Sequence, residues 1–404
     1  MNTYLEKRNA TIDLLRALTM AVMIVVNDFW SVSGIPHWMG HAAASEDMLG
    51  FSDIVFPTFL FCVGLSIPYA ITAMRRKGRS EGDVIRHILS RSFALILMGA
   101  FICNYEQGID PAIGYNRNVY CLLMAAAFFL IYNRYQQAGW LIRCLKGVGW
   151  AILLFLLVTS RNPEGRSFYP YWWGILGLIG WAYLFCALVY ALAKTVRVQV
   201  IVWFLLFAIC LFCTRTSPDS QFVGKPILAI SAPNIVDLIL STLQIGNASS
   251  HLLVMSGVLF SGLFLKRTAL CTKSRQATAT LALAIACLIV AIVSHRLFIT
   301  SKIIGTLPWI FYSLAIGLFL YALLDVLVAK GKAGWLNAIR PAGTATLTCY
   351  LVPYFLYPLI SMSVGWAWSY GIPEPFGIVK CILFSALCIA ITWLLGKISV
   401  CLKI

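Results

Sequence analysis

Charge is what this sequence has least of. Only 11% of its 404 residues are charged, against about a quarter in a soluble globular chain. There are 15 acidic residues and 5 histidines in the whole length. So little polar chemistry excludes an ordinary soluble enzyme. The recognisable local signals of soluble enzymes are missing too. There is no Walker loop, no GxGxxG fingerprint, no GxSxG elbow and no HExxH, so no nucleotide-phosphate cradle, serine elbow or zincin helix is expected. Thirteen cysteines are scattered, mostly inside apolar runs, without a CxxC pair or a zinc spacing. They read as small buried apolar residues, and no metal is expected. A net charge of +16 raises the question of nucleic acid. The basic residues stand in short connectors, however, with no aromatic-basic platform for single strands, so no nucleic-acid partner is expected.

What is there instead is apolar length. Hydrophobic residues make up 60% of the chain and recur in runs of 15 to 25, and about 20 apolar residues span a bilayer as a helix. The expectation is an all-α, polytopic integral membrane helical bundle of about twelve transmembrane helices, or ten to twelve. The expected spans are 10–31, 52–74, 88–104, 118–133, 147–160, 170–193, 198–214, 251–265, 277–296, 306–328, 343–361 and 376–400. The N-terminal run is too long for a cleaved signal and reads as the first span. Residues 215–250 form the longest non-membrane segment, an outer loop with a short interfacial helix. Residues 1–404 are otherwise read as one transmembrane domain, with no internal repeat.

Orientation follows from the basic residues. With the N-terminus inside, 22 of the lysines and arginines fall on inner connectors and tails and 8 on outer ones. Basic residues collect on the cytoplasmic side, so the chain is expected N-in and C-in. The connector "HWMGHAAASEDMLGFSDIVFP", residues 37–57, then lies outside. It holds two of the five histidines and three acidic residues, a concentration of polar chemistry that asks for a function.

Ionisable residues inside spans are costly and mark function. Asp13 and Arg16 are helical neighbours three apart. Asn27, eleven residues beyond Arg16, is about 20° off the same face and about 16 Å further along. The three read either as an inner-edge ion pair plus one amide, or as a polar wall reaching the outer connector. His41 is the leading catalytic candidate, because imidazole takes or gives a proton near neutrality. Asp53, at the start of the second span, is a carboxylate that could orient it, and His37 is second choice. His251 opens the eighth span and could face the same outer cavity. His295, Arg296 and Lys302 form an outer basic cluster that reads as membrane-edge anchoring or as a contact for a polar ligand. His37, His251 and Lys302 are therefore the expected substrate contacts.

The block "IDLLRALTMAVMIVVNDFW … HAAASEDMLGFSDIVFPTFLFCVGLSIPYA" resembles the opening of the heparan-alpha-glucosaminide N-acetyltransferase family, which has many bacterial relatives. The shared features are Asp13 and Arg16 three apart, Val26–Asn27, His41–Ala42, and Ser52–Asp53–Ile54–Val55–Phe56–Pro57. "SKIIGTLPWIFYSLAIGLFLYALLDVL" is similar to the family's Asn-Lys-x-x-x-Thr helix entry, with Ser301 in place of Asn. "PAGTATLTCYLVPY" is similar to a late family helix, with Thr344–Thr346 where Asn is usual.

The resemblance implies a multi-pass inner-membrane acetyltransferase. It would take acetyl from cytoplasmic acetyl-CoA and pass it to an amino sugar or related saccharide on the periplasmic side. It also implies that His41 is the catalytic histidine and that Asn27 belongs to the active site. His41 would remove the acceptor proton or carry the acetyl group, and Asp53 would orient it. Asn27 would donate to the oxyanion, and Arg16 and Arg91, with Asp13 beside Arg16, would meet CoA. The expected partners are the lipid bilayer, acetyl-CoA and the saccharide acceptor, with a homodimer as a further expectation. Two alternatives stay open: a membrane O-acetyltransferase of the broader acyltransferase type, and a non-enzymatic sugar or muropeptide carrier. Acetyl-CoA binding separates the carrier from the enzymes.

Overall fold

A computed structural model describes residues 9–136, 139–193, 195–212, 239, 241–268, 272–363 and 371–404. The expected outer segment 215–250 lies largely outside these residues. The described chain is helical, and its one sheet is a two-residue parallel pair, β1 (Val32–Ser33) with β2 (Ile372–Pro373).

Among the described residues, eight helices are long and apolar enough to cross a membrane, or nine if one bent pair counts as a span. The eight include α1 (Ala10–Asn27), α2 (Phe51–Arg76), α3 (Glu81–Glu106), α5 (Trp140–Thr159), α6 (Gly174–Leu192) and α9 (Lys273–Ser294). They are completed by α10 (Leu307–Ala329) and α13 (Phe376–Lys397). The bent pair is α11 (Gly334–Thr344) with α12 (Thr346–Ser363), which turn 77° at Ala345. Three further apolar helices are shorter: α4 (Arg117–Tyr132), α7 (Val196–Phe212) and α8 (Ser249–Leu259), the last running on through a π-turn at Phe260–Leu265.

Two helices begin earlier than their hydropathy suggests. α3 starts at Glu81 because Ser80 and Asp83 cap each other: the Asp83 amide donates to Ser80 Oγ (3.1 Å) and the Ser80 amide to Asp83 Oδ2 (3.2 Å). This reciprocal cap starts a helix on polar residues before the apolar run begins. α5 starts at Trp140 and carries Arg143 and Lys146 in its first two turns. Long basic side chains at a helix end can lay their stems along apolar surface and keep their heads in water.

The contacts group the chain into two compact units. The first holds the chain up to Thr19, Pro36–Ser92 and Trp181–Asn337; the second holds Met20–Ile35, Phe93–Gly180 and Ala338–Ile404.

In the first unit α2 is the central helix, packed against α8 and α10, while α9 pairs with α10 and α7 with α8. The α2–α8 crossing is made by glycine. A Cβ on Gly64 would overlap the Val254 carbonyl oxygen and lie 2.9 Å from the Gly257 Cα. Small residues of this kind let membrane helices approach backbone to backbone. The hydroxyls of α2 turn back on their own helix, Thr58 to the Ile54 carbonyl (2.8 Å) and Ser66 to Cys62 (2.9 Å), so they cost nothing unpaired in an apolar setting. Replacing Gly64 with alanine is expected to cost about 1–3 kcal/mol of stability through overpacking. Gly396→Ala, where a Cβ meets nothing within 4 Å, should be neutral. Melting midpoints of the two variants in detergent test this.

In the second unit α4 packs on α5 and on α12, and α13 packs on α11. Gly377 brings α13 so close to β1 that a Cβ there would overlap the Val32 side chain. Large apolar side chains stand exposed on α5 (Leu154, Val158), α9 (Ile285, Val293) and α13 (Ile382, Leu383). Such faces suit lipid rather than water.

Candidate active site

The polar connector leads into α2 and is tied down in the first unit. Ser52 Oγ donates to the Met39 carbonyl (2.6 Å), and Ser301 Oγ to Ala44 (3.2 Å). Asp47 accepts from the Thr300 amide (2.7 Å) and pairs with His295 Nε2 (2.9 Å). Burial works against the Asp47 charge, but Thr300 and His295 outweigh it and leave the carboxyl below its ordinary pKa. The connector is thus fixed to the segment that enters α10. A Cβ on Gly50 would overlap the Gly40 carbonyl oxygen, so the chain can double back there only at a glycine.

That folding brings His41 onto Asp53. Nδ1 of His41 lies 2.6 Å from Asp53 Oδ1, and the second carboxylate oxygen accepts from the Ala42 amide (3.0 Å). Asp53 is in the first turn of α2, where the helix dipole favours a negative charge. Its side chain is 1% exposed, while that of His41 is 51% exposed. The Trp309 indole donates to the Asp53 carbonyl (2.9 Å), which fixes the backbone beneath the carboxylate. Lys302 Nζ completes the group, 3.6 Å from Asp53 Oδ1 and 3.3 Å from His41 Nδ1. Burial draws the Lys302 ammonium below its ordinary pKa, and Asp53 opposes that shift.

The geometry assigns the tautomer. A carboxylate this close to Nδ1 accepts a proton from it, so Nδ1 is the N–H and Lys302 neutralises the same carboxylate. In the neutral ring Nε2 then carries the lone pair, and the ring is half exposed. The arrangement is a buried acid, a positioned imidazole and one available basic nitrogen, the parts a general base or nucleophile requires.

The other expected residues fall as follows. His37 is exposed and pairs with Glu46, and that hydrogen bond holds the Glu46 carboxyl below its ordinary pKa. Asp13 and Arg16 are bonded to each other (2.7 Å), and Arg16 also donates to Ser66 Oγ (3.3 Å). Arg91 lies with its guanidinium 4.9 Å from the centre of the Tyr183 ring, and its buried Nε has no hydrogen-bond partner. His251 is 2% exposed, edge-on to Phe185 at 5.4 Å between ring centres, and neither ring nitrogen is bonded. Asn27 belongs to the second unit, where it lines a cavity. No cluster of three or more metal-ligating side chains occurs among the described residues.

Residues 8–107 match the model of the heparan-alpha-glucosaminide N-acetyltransferase catalytic region. The mouse (Mus musculus) enzyme of that name is 32% identical over 100 residues, which is 25% of this chain and 14% of the mouse protein. The human (Homo sapiens) enzyme is 32% identical over 107 residues, 26% of this chain and 15% of the human protein. Over this segment the chain is similar to the catalytic region of the heparan-alpha-glucosaminide N-acetyltransferase family. The aligned stretch covers about a seventh of each relative's length. It holds Asp13, Arg16, Asn27, His37, His41, Asp53 and Arg91, and it leaves His251 and Lys302 outside. Lys302 therefore joins a pair of residues from the matched segment although it lies outside that stretch itself. Sequence reasoning placed it in an outer basic cluster, and nothing in the local pattern names Asp53 as its partner. Trp309 is also new: its only sequence signal is a tryptophan two residues into the α10 apolar run.

Proposed function

We propose that the protein is a transmembrane acetyltransferase that uses acetyl-CoA and acetylates an amino sugar or related saccharide, with His41 Nε2 as the reacting base. The observation that carries this reading is the His41–Asp53 bond at 2.6 Å within a segment that matches the catalytic region of an acetyltransferase family. Acetyl-CoA supplies an acyl group already activated as a thioester. His41 Nε2 takes the proton of the acceptor amine as its nitrogen bonds to the acyl carbon, then returns it to the departing sulfur. Asp53 stabilises the imidazolium in between, and Lys302 keeps the carboxylate ionised. Asn27 is proposed to contact substrate through its side-chain amide.

For CoA, the residue that fits best is Arg91, whose buried Nε lacks a partner and whose charge suits a phosphate. Arg16 is proposed beside it, already held in place by Asp13. The surplus of basic residues on one set of connectors supports an N-in, C-in chain of about twelve spans in a bacterial inner membrane, with His41 on the periplasmic side. The test is release of CoA from acetyl-CoA by the purified protein, with and without a panel of amino sugars. Sugar-dependent release supports the reading. Absence of both acetyl-CoA binding and release would leave a carrier as the better account.

A further inference from the structure

The second unit contains a cavity of about 710 Å³, and of its lining residues only Asn27 has a part in the proposed acetyl transfer. Some of its polar groups stand at helix ends. Asn27 closes α1, Glu106 closes α3, and Arg117 and Asn118 open α4. Tyr105, Tyr350, Tyr354, Tyr357, Ser361 and Lys380 also line it, and the rest of the wall is apolar, part of it the outward face of α13. Phe376, Val379, Leu383 and Leu387 all line the cavity, yet they are 72%, 52%, 64% and 47% exposed. On a membrane-length helix, exposed apolar side chains meet acyl chains. The cavity therefore opens sideways toward lipid, with Glu106 and Arg117 at the helix ends that border it.

Those groups are of two signs; Glu106 lies within the field of Arg117, but no hydrogen bond or ion pair joins the two among the described residues. Arg117 gives its Nε–H to the Tyr105 carbonyl (3.0 Å) and lays its guanidinium over the Tyr105 ring (4.5 Å to the centre). Its terminal nitrogens have no partner among the described residues. Glu106 likewise makes no hydrogen bond or ion pair among them. Lys380 differs: Asp28 neutralises it at 2.9 Å, and it donates to Ser31 Oγ (2.7 Å), while the Tyr357 hydroxyl donates to Asp28 (3.2 Å). Lys380 is thus part of the wall, and the available charges are one guanidinium and one carboxylate.

We infer that this cavity is a lateral binding site for a phospholipid-type amphiphile whose headgroup pairs a phosphate with an ammonium. Arg117 takes the phosphate through its terminal N–H groups, the charge-assisted geometry guanidinium favours. Glu106 accepts from the ammonium. The hydrocarbon chain leaves along Val379, Leu383 and Leu387 into the bilayer. Two kinds of lipid carry this headgroup chemistry, a phosphatidylethanolamine and an amino-sugar phospholipid, and the inference does not depend on the acetyl-transfer reading.

The experiment is native mass spectrometry of the full chain in mild detergent, titrated with three probes: dioleoyl-phosphatidylethanolamine, dioleoyl-phosphatidylglycerol and a glucosaminyl phospholipid. Wild type is expected to bind at least one amine-bearing probe about tenfold or more tighter than phosphatidylglycerol, as loss of a charge-assisted hydrogen bond implies. Glu106→Gln should remove that preference and leave phosphatidylglycerol binding unchanged. Leu383→Trp, on a lipid-facing position that tolerates bulk, should weaken all three by filling the chain's exit. Preference for the glucosaminyl lipid alone, or for both amine lipids, identifies the source. Equal affinity for all three probes in wild type, or an amine preference that survives Glu106→Gln, overturns the inference. Sugar-dependent CoA release that is lost in His41→Ala would still support acetyl transfer, so the two proposals fail separately.

Discussion

Replacing His41 with alanine is expected to lower acetyl transfer by about 10²–10⁴-fold, the range for loss of a general base, and by more if the imidazole itself carries the acetyl group. The protein should remain folded, because the side chain is 51% exposed and its removal leaves no core cavity. Acetyl-CoA binding should persist, since Arg16 and Arg91 are untouched. His37→Ala is the matched control. It removes a histidine from the same connector, but one whose exposed ring pairs with Glu46 and touches neither Asp53 nor Lys302. Turnover of both variants at equal amounts of folded protein separates the roles. Near-normal turnover in His41→Ala with a dead His37→Ala would reverse the assignment.

Asp53→Asn should be nearly as damaging to turnover, on the order of 10²–10⁴-fold, because an amide neither enforces the Nδ1–H tautomer nor stabilises imidazolium. Unlike the His41 change, it should also destabilise the protein. Asp53 is 1% exposed and is the counter-charge of Lys302 at 3.6 Å; removing one partner of a buried pair leaves the other uncompensated. The double variant Asp53→Asn/Lys302→Met removes both charges. It is expected to recover melting temperature over the single variant while staying inactive. Recovery of activity together with stability would mean that Asp53 acts only as a structural anchor.

The sequence made the first two helices and their connector legible because their signals are local. A three-residue spacing puts Asp13 beside Arg16, and the two are bonded at 2.7 Å. A carboxylate at the start of α2 follows a short polar loop, and His41 reaches it at 2.6 Å. Lys302 and Trp309 were not legible as partners of Asp53, because they arrive from some 250 residues away and only packing of α10 on α2 delivers them. The start of α3 was missed because capping by Ser80 and Asp83, not hydropathy, sets it. The span expected at 343–361 is a bent pair, α11 with α12, since Ala345 leaves the helical region at φ −122° and ψ 48°. The cavity charges had no pattern to announce them. Glu106 reads in "ICNYEQG" as an ordinary polar residue closing an apolar run, and its place opposite an apolar, lipid-facing wall comes from tertiary packing alone.

The central claim is that His41 serves the transfer of an acetyl group from acetyl-CoA on one side of the membrane to an amine acceptor on the other. It is tested most directly in sealed vesicles that hold the protein in one orientation, with radiolabelled acetyl-CoA supplied only on the side of the N-terminus and glucosamine only on the side of residue 41. Labelled N-acetylglucosamine is expected in the glucosamine compartment, with stoichiometric free CoA left behind, and neither is expected with His41→Ala. Glucosamine crossing the membrane unmodified while the acetyl-CoA stays intact would contradict the account.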